Sequence, residues 1–259
     1  MKGELRAQVG ELARRSTLRT LRQPSQIVPA LIFPLFLLAV NSGGLKSATK
    51  IPGFPTNSYL AFALAVPFIQ GALFAVMNAG TDLARDIETG FLNRLALTPL
   101  RGAALLGGLL TGTVLLGIVQ ALTYLVVGLT AGSGLAAGAL GVPVLISLSI
   151  LVTFGFGTLG LFAALRTGSG EAVQGLFPVF FVSLFLSSMA LPRNLIQTDW
   201  FREIATYNPV SYLLEGFRSL LITGWDTEAL ALGFGLAAAI AVIGMVAASS
   251  ALKTRLVRT

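Results

Sequence analysis

Five stretches of this chain carry no charged side chain over the length of a membrane crossing: residues 23–45, 54–81, 102–165, 172–192 and 229–252. A crossing takes roughly 20 apolar residues, so the third stretch is long enough for two. Its interruption at Ala131-Gly132-Ser133-Gly134 divides it. The expectation is an all-α integral membrane protein with six transmembrane helices, over 26–45, 59–80, 103–130, 135–165, 172–191 and 229–252. The first helix holds Pro29 and Pro34 and must borrow Asn41 to Leu45 to reach full length.

Composition agrees, with 54% hydrophobic and 11% charged residues. Thirteen of the 18 Lys and Arg fall on the side that holds both termini, which predicts that both termini are cytoplasmic. The isoelectric point of 10.4 then reflects membrane topology and removes a nucleic-acid partner from consideration. Residues 1–23 are too charged, and lack the apolar run, to form a cleaved signal peptide. With no Cys and no His, disulfides, thiol and imidazole catalysis and the usual zinc sites are excluded. No G-x-x-x-x-G-K-[ST] occurs, so this chain does not cradle ATP phosphates. None of the six expected helices has an ionisable residue at mid-membrane, which disfavours proton- or sodium-driven transport. No catalytic, cofactor or metal site is expected here, and any energy must come from another subunit.

Three connecting regions carry pattern. In the N-terminal arm, 1–23, Leu5, Val9 and Leu12 recur at helical spacing among arginines, and Pro24 ends the element. This is an interfacial amphipathic helix, either touching a partner or only lying on anionic lipid. Between the second and third spans, Thr89-Gly90 interrupts a helix, Phe91, Leu92 and Leu95 form an apolar face, and Thr98-Pro99 stops it. The reading is a short helix over 86–98, across the span direction, with Glu88 at its start and Arg94 on its flank. Its alternatives are a force-transmitting knob and a solvated turn. Before the last span, over 193–226, Val210, Leu213, Leu214, Phe217, Leu220 and Leu221 make an amphipathic helix too short to cross. Tyr207-Asn208-Pro209 starts it, Glu215 and Arg218 sit three apart on its expected polar side, and Trp200 and Trp225 mark headgroup level. It either re-enters or rests at the outer interface, as a lid or in contact with cargo.

Neutral polar groups and aromatics offer a path through the membrane. Gln70, Phe74, Met77, Asn78 and Thr81 share one face of the second span, and Phe177, Phe181 and Phe185 repeat on the fifth. These either line a route for an amphipathic molecule or tie helices together. Gly108-x-x-x-Gly112 marks the third span for close helix contact, within the chain or between two copies.

The stretch RDIETGFLNRLALTPLR resembles the cytoplasmic coupling segment of type-two ABC exporter permeases, above all those of daunorubicin-resistance type. YNPVSYLLEGFRSLL resembles the Asn-Pro segment before the last span in the same family. The resemblance implies two copies of this permease, or one with a homologous permease, joined to two ABC ATPase subunits that bind ATP and Mg. It implies that Glu88, Thr89, Gly90, Arg94 and Pro99 form a coupling helix in a groove of the ATPase. It places the N-terminal arm beside them, and Asn208, Pro209 and Arg218 in outer re-entrant helices. Phe91 stands where family members often have Thr. The implied function is ATP-driven export of hydrophobic drugs, antibiotics or lipids across a bacterial inner membrane. Alternatives are a lipid-linked polysaccharide exporter, which four Tyr and two Trp do not favour, and a non-transporting assembly or immunity protein.

Overall fold

A computed structural model describes residues 2–96 and 102–257, and every regular element in them is helical. In chain order these are α1 (Lys2–Leu21), α2 (Pro24–Gly44), α3 (Tyr59–Ala63), α4 (Ala65–Glu88), α5 (Phe91–Ala96), α6 (Gly102–Thr130) and α7 (Gly141–Thr167). They continue with α8 (Gly170–Gln174), α9 (Phe177–Phe185), α10 (Asp199–Tyr207), α11 (Pro209–Arg218) and α12 (Thr227–Val257). Among the described residues, five helical stretches are long and apolar enough to cross a membrane: Pro24–Gly44, Tyr59–Glu88, Leu105–Thr130, Gly141–Thr167 and Thr227–Arg255.

The central pair is α4 and α7. A Cβ on Gly160 would stand 2.2 Å from the Val76 carbonyl oxygen, so the two backbones touch and only glycine fits. Two apolar clusters fill the bundle. One, around Phe62, Phe68, Tyr124, Leu148 and Phe217, lies toward the start of α4. The other, around Leu12, Leu83, Leu92, Leu106, Leu165 and Leu252, lies toward its end. They meet midway along α4, whose 24 residues form a rod of about 36 Å: Val76 belongs to the first, Ala79 to the second, and Met77 packs against both.

Helix α2 runs unbroken through both prolines. Pro34 has no N–H for the Ala30 carbonyl, and the buried Gln120 and Tyr124 side chains of α6 donate to that carbonyl instead, Gln120 Nε2 at 3.3 Å. Gln120 and Tyr124 thus satisfy the acceptor that Pro34 leaves open.

Two expected spans have different ends. Residues 135–140, assigned to the fourth span, form a turn, and α7 starts at Gly141. Gly132, Gly134 and Gly138 all adopt positive φ, which a helix cannot contain. The backbone N–H groups of Ala136 and Ala137 bond instead to the Leu221 and Leu220 carbonyls. The fifth span, expected as 172–191, is two short helices that together end at Phe185. Pro178 cannot donate to the Gln174 carbonyl, so the ladder breaks between α8 and α9. The chain then turns over residues 186–192.

Glycines 108 and 112 receive α1. The Leu12 side chain lies against Gly108, the Ser16 hydroxyl donates to the Leu109 carbonyl at 2.7 Å, and the Gly112 N–H donates to the Ser16 oxygen at 3.0 Å. The close contact foreseen for this motif is therefore with the N-terminal helix.

Candidate functional site

At the far end of α4, two arginines from α1 meet two aspartates. Asp82 and Asp86 are one turn apart on α4, and Arg15 and Arg19 one turn apart on α1. Arg15 grips Asp86 with both terminal nitrogens, at 2.9 and 2.7 Å. Arg19 bonds Asp86 at 3.1 Å and Asp82 at 3.0 Å. Asp86 is 3% exposed, and a carboxylate buried this far is accommodated only with partners of this kind. Its hydrogen bonds in turn hold the Arg15 guanidinium above its ordinary pKa, against the effect of burial.

Next to this cluster the chain pivots. Thr89 closes α4, its hydroxyl donating to the Arg85 carbonyl at 2.9 Å, and Gly90 takes φ +68° with open space around it. Glu88 belongs to the last turn of α4, so the short helix expected over 86–98 begins at Phe91 instead. Phe91 is half-buried, with the Arg15 guanidinium 3.8 Å above its ring centre. Leu92 is buried, while Glu88 and Arg94 are exposed. Thr98 and Pro99 lie outside the described residues.

The other end of the molecule is built around Arg218. The sequence pattern assigns it to a polar surface, but it is 7% exposed. Helix α11 is buried on nearly every side: Leu213, Leu214 and Phe217 pack inward, and Gly216 meets Gly233 of α12 at van der Waals range. Arg218 follows Leu214 by one turn and points the same way. Its guanidinium donates to the carbonyls of Phe62 (3.2 Å), Ser188 (2.8 Å) and Met189 (2.9 Å), with its carbon 3.6 Å over the Phe62 ring.

Those carbonyls belong to α3 and to the turn where the fifth span ends. Backbone that leaves a helix at membrane depth must be satisfied by protein. Tyr59 donates to the Ala190 carbonyl, the Ser188 N–H donates to Ser211, and Asn208 Nδ2 donates to the Ser183 carbonyl at 2.7 Å. Asn208 Oδ1 meanwhile accepts from the Val210 N–H, capping α11 ahead of Pro209 at its first position. Glu215 pairs with Arg193 of the connecting turn rather than with Arg218.

A cavity of about 490 Å³ opens between α2, α4 and α8–α9, lined by Ser25, Pro29, Phe74, Asn78, Gln174 and Phe177 among others. Among the described residues, no ionisable side chain lines it. Asn78 Nδ2 is buried with no hydrogen-bond partner. Pro29 and Pro178 cannot donate to the Ser25 and Gln174 carbonyls, which frees two acceptors beside it. Phe74 lies 5.9 Å from Phe177, which stacks on Phe181 at 5.3 Å, and Phe33 of α2 joins both rows. Phe74, Asn78 and Phe177 thus share one cavity with Phe181 against its wall. Gln70, buried two turns along α4, is not part of the lining. Among the described residues no group of His, Cys, Asp or Glu is placed to hold a metal.

Sequence reading alone places Asp86 in the short helix over 86–98 and Arg15 and Arg19 in the N-terminal arm, and pairs none of them with another. Their signal was present: two acids closing an apolar span require partners, and the arginine pair has the same four-residue spacing.

A multi-pass helical membrane protein with an ion-paired pivot beneath its second span is the class that these features define. The family model for ABC-2 type transporters matches residues 7–222, and the chain belongs to that family. It is a permease, a transport subunit rather than an enzyme, of a family that works with an ABC ATPase. A protein of Porphyra purpurea named as a transport permease, ycf38, is 28% identical over 98% of this chain and 91% of its own length. One of Cyanophora paradoxa with the same name is 24% identical, over 81% of this chain and 72% of its own. A Mycobacterium tuberculosis protein named as a doxorubicin resistance ABC transporter permease, DrrC, is 23% identical over 76% of this chain and 71% of its own.

Proposed function

We propose that this chain is the membrane subunit of an ATP-driven exporter, moving uncharged amphipathic compounds such as drugs, antibiotics or lipids out of a bacterial cell. The Asp82 end of the bundle faces the cytoplasm, in keeping with the thirteen-to-five division of Lys and Arg. Work from ATP and Mg bound by two ABC ATPase subunits enters through Glu88, Thr89, Gly90, Phe91, Arg94 and Pro99. A second copy of this permease, or a homologous one, completes the path. The apolar faces of α2 (Ile32, Phe36) and α9 (Val179, Val182) are exposed beside the cavity and suit such a neighbour or lipid.

The observation that carries the reading is the cavity itself. Its aromatic wall offers surface to an apolar body. Its unpaired amide and its two proline-freed carbonyls offer hydrogen bonds to a neutral polar end. Among the described residues, nothing in the lining compensates a formal charge.

Co-expression and purification with an ABC ATPase from the same organism, followed by transport into inverted vesicles, tests the proposal. Wild-type permease is expected to stimulate ATP hydrolysis and to accumulate a neutral amphipathic dye. The triple variant Glu88→Ala, Phe91→Ala, Arg94→Ala is expected to do neither. Unchanged assembly and transport in that variant would rule the coupling role out.

A further inference from the structure

We infer that Arg15 is a positioning residue that holds α5 at a fixed angle to α4, with the edge of its guanidinium on Asp86 and its face on Phe91. The mechanical consequence drawn below rests on the coupling role proposed above; the positioning itself does not.

Helix α5 does not set its own orientation. Its six described residues are far too few to be stable alone. It leaves α4 through Gly90, whose positive φ and empty surroundings allow the backbone to swivel. Something outside α4 must therefore fix it. Leu92 supplies apolar burial, which is non-directional. Direction comes from Arg15. A guanidinium is planar, and its in-plane N–H fork meets a carboxylate while its face stays free to cover an aromatic ring. Here both surfaces are used at once, with the 2.9 and 2.7 Å fork bonds to Asp86 and the 3.8 Å approach to Phe91. A lysine can keep the charge but cannot make both contacts.

Arg15 is itself well placed to serve as a reference. The adjacent Ser16 is bonded to the Leu109 carbonyl and the Gly112 N–H, so this turn of α1 is fastened to α6. Arg19 supports the same carboxylate from one turn further on, and keeps Asp86 neutralised when Arg15 is altered. Displacement of α5 is consequently passed through Arg15 to α1 and α6, instead of being absorbed at Gly90. Phe91 gives the guanidinium the ring it covers.

The natural chain lacks cysteine, so paired spin labels can be placed without background. Labels on Arg94→Cys of α5 and Glu171→Cys of α8, both exposed, report the angle of α5 against the bundle. The starting protein is expected to give one narrow distance distribution. Arg15→Lys and Phe91→Leu are each expected to broaden it, since a cation–π contact biases such an equilibrium by roughly 2- to 30-fold. The double variant should be no broader than the worse single one, and Phe91→Tyr, which keeps the ring, should restore the narrow distribution. Distributions unchanged in both single variants, in samples that remain monodisperse and helical, overturn the inference. The second arm measures ATPase stimulation by the unlabelled variants in the reconstituted complex, where a fall of similar size is expected. Broadened distances with undiminished stimulation leave the positioning role standing and remove the coupling role from this element.

Discussion

The two ends of α4 hold charge in opposite ways. At the Asp86 end, guanidinium meets carboxylate across two helices, beside a glycine with room to turn. At the Phe62 end, a buried guanidinium is wrapped in backbone carbonyls, and the nearest carboxylate is engaged with another arginine. Ion pairs between side chains can break and re-form with little rearrangement, whereas carbonyl dipoles fixed by a turn cannot follow a moving cation. The first end therefore suits transmission of movement, and the second is a fastening. If that contrast is right, damage at the second end destroys the fold, and damage at the first uncouples an intact protein.

The largest effect is expected at Arg218. Replacing it by Met leaves the Phe62, Ser188 and Met189 carbonyls without their donor, at about 1–3 kcal/mol for each buried unsatisfied group. That is enough to unfold a marginally stable protein. The expected result is a collapse in monodisperse yield, and proteolysis near the 186–192 turn. Arg218→Lys should rescue only part, since one ammonium cannot reach carbonyls on two separated segments as a fork does. A folded, thermostable Arg218→Met variant would erase the contrast.

Asp86→Asn comes next and should behave differently. The fork to Arg15 loses its charge, worth about 1.5–3 kcal/mol for bonds to charged groups, but α1 keeps its packing on Gly108 and Gly112. Thermal melts are expected to shift modestly, while ATPase stimulation falls strongly. Equal losses of both would show that the pair is only a fastening too.

The sequence was informative about these two ends to different degrees, for physical reasons. Length and freedom from charge identify a crossing because the bilayer imposes both, and Pro24–Gly44 or Gly141–Thr167 need little else. Boundaries are a different matter, since they depend on local backbone geometry. Three successive positive-φ glycines delay α7 to Gly141, and Pro178 splits what composition presents as one span. Around Asp82 and Asp86 the spacing was readable, but which of the surrounding arginines would answer depended on how α1 folds back along α6. Arg218 was the hardest, because a buried cation reads like a surface one until its neighbours are known. Two of its three carbonyl partners, those of Ser188 and Met189, are available only because the fifth span stops early, which is a fact of tertiary structure. In the cavity, helical spacing did bring Phe74 and Asn78 together, but it could not separate them from Gln70 on the same face.

Asn78→Leu offers a prediction whose two signs oppose each other. The Nδ2 group is buried without a partner, so an apolar replacement of similar size removes an unsatisfied donor and should raise thermal stability, by about 1 kcal/mol. If the cavity receives cargo, the same change should weaken export of neutral compounds that carry a carbonyl or ether oxygen, and spare those that lack one. A donor retained only to tie helices together would give no such selectivity.

The smallest effect belongs to the exposed pair Arg202 and Asp199 on α10, and it tests whether charge as such matters outside these two sites. The two residues are three apart on one helix, with Asp199 almost fully in water. Screening and side-chain entropy leave such pairs worth about 0–1 kcal/mol, so Asp199→Asn should be close to silent in both melting temperature and transport. Asp199 is also the first residue of α10, where a negative charge favours the helix N-terminus, so any small loss should diminish as salt is added. A loss that persists at high salt would mean that α10 is fastened to the bundle through charge, and the fixed end would then extend beyond Arg218 to the surface of the molecule.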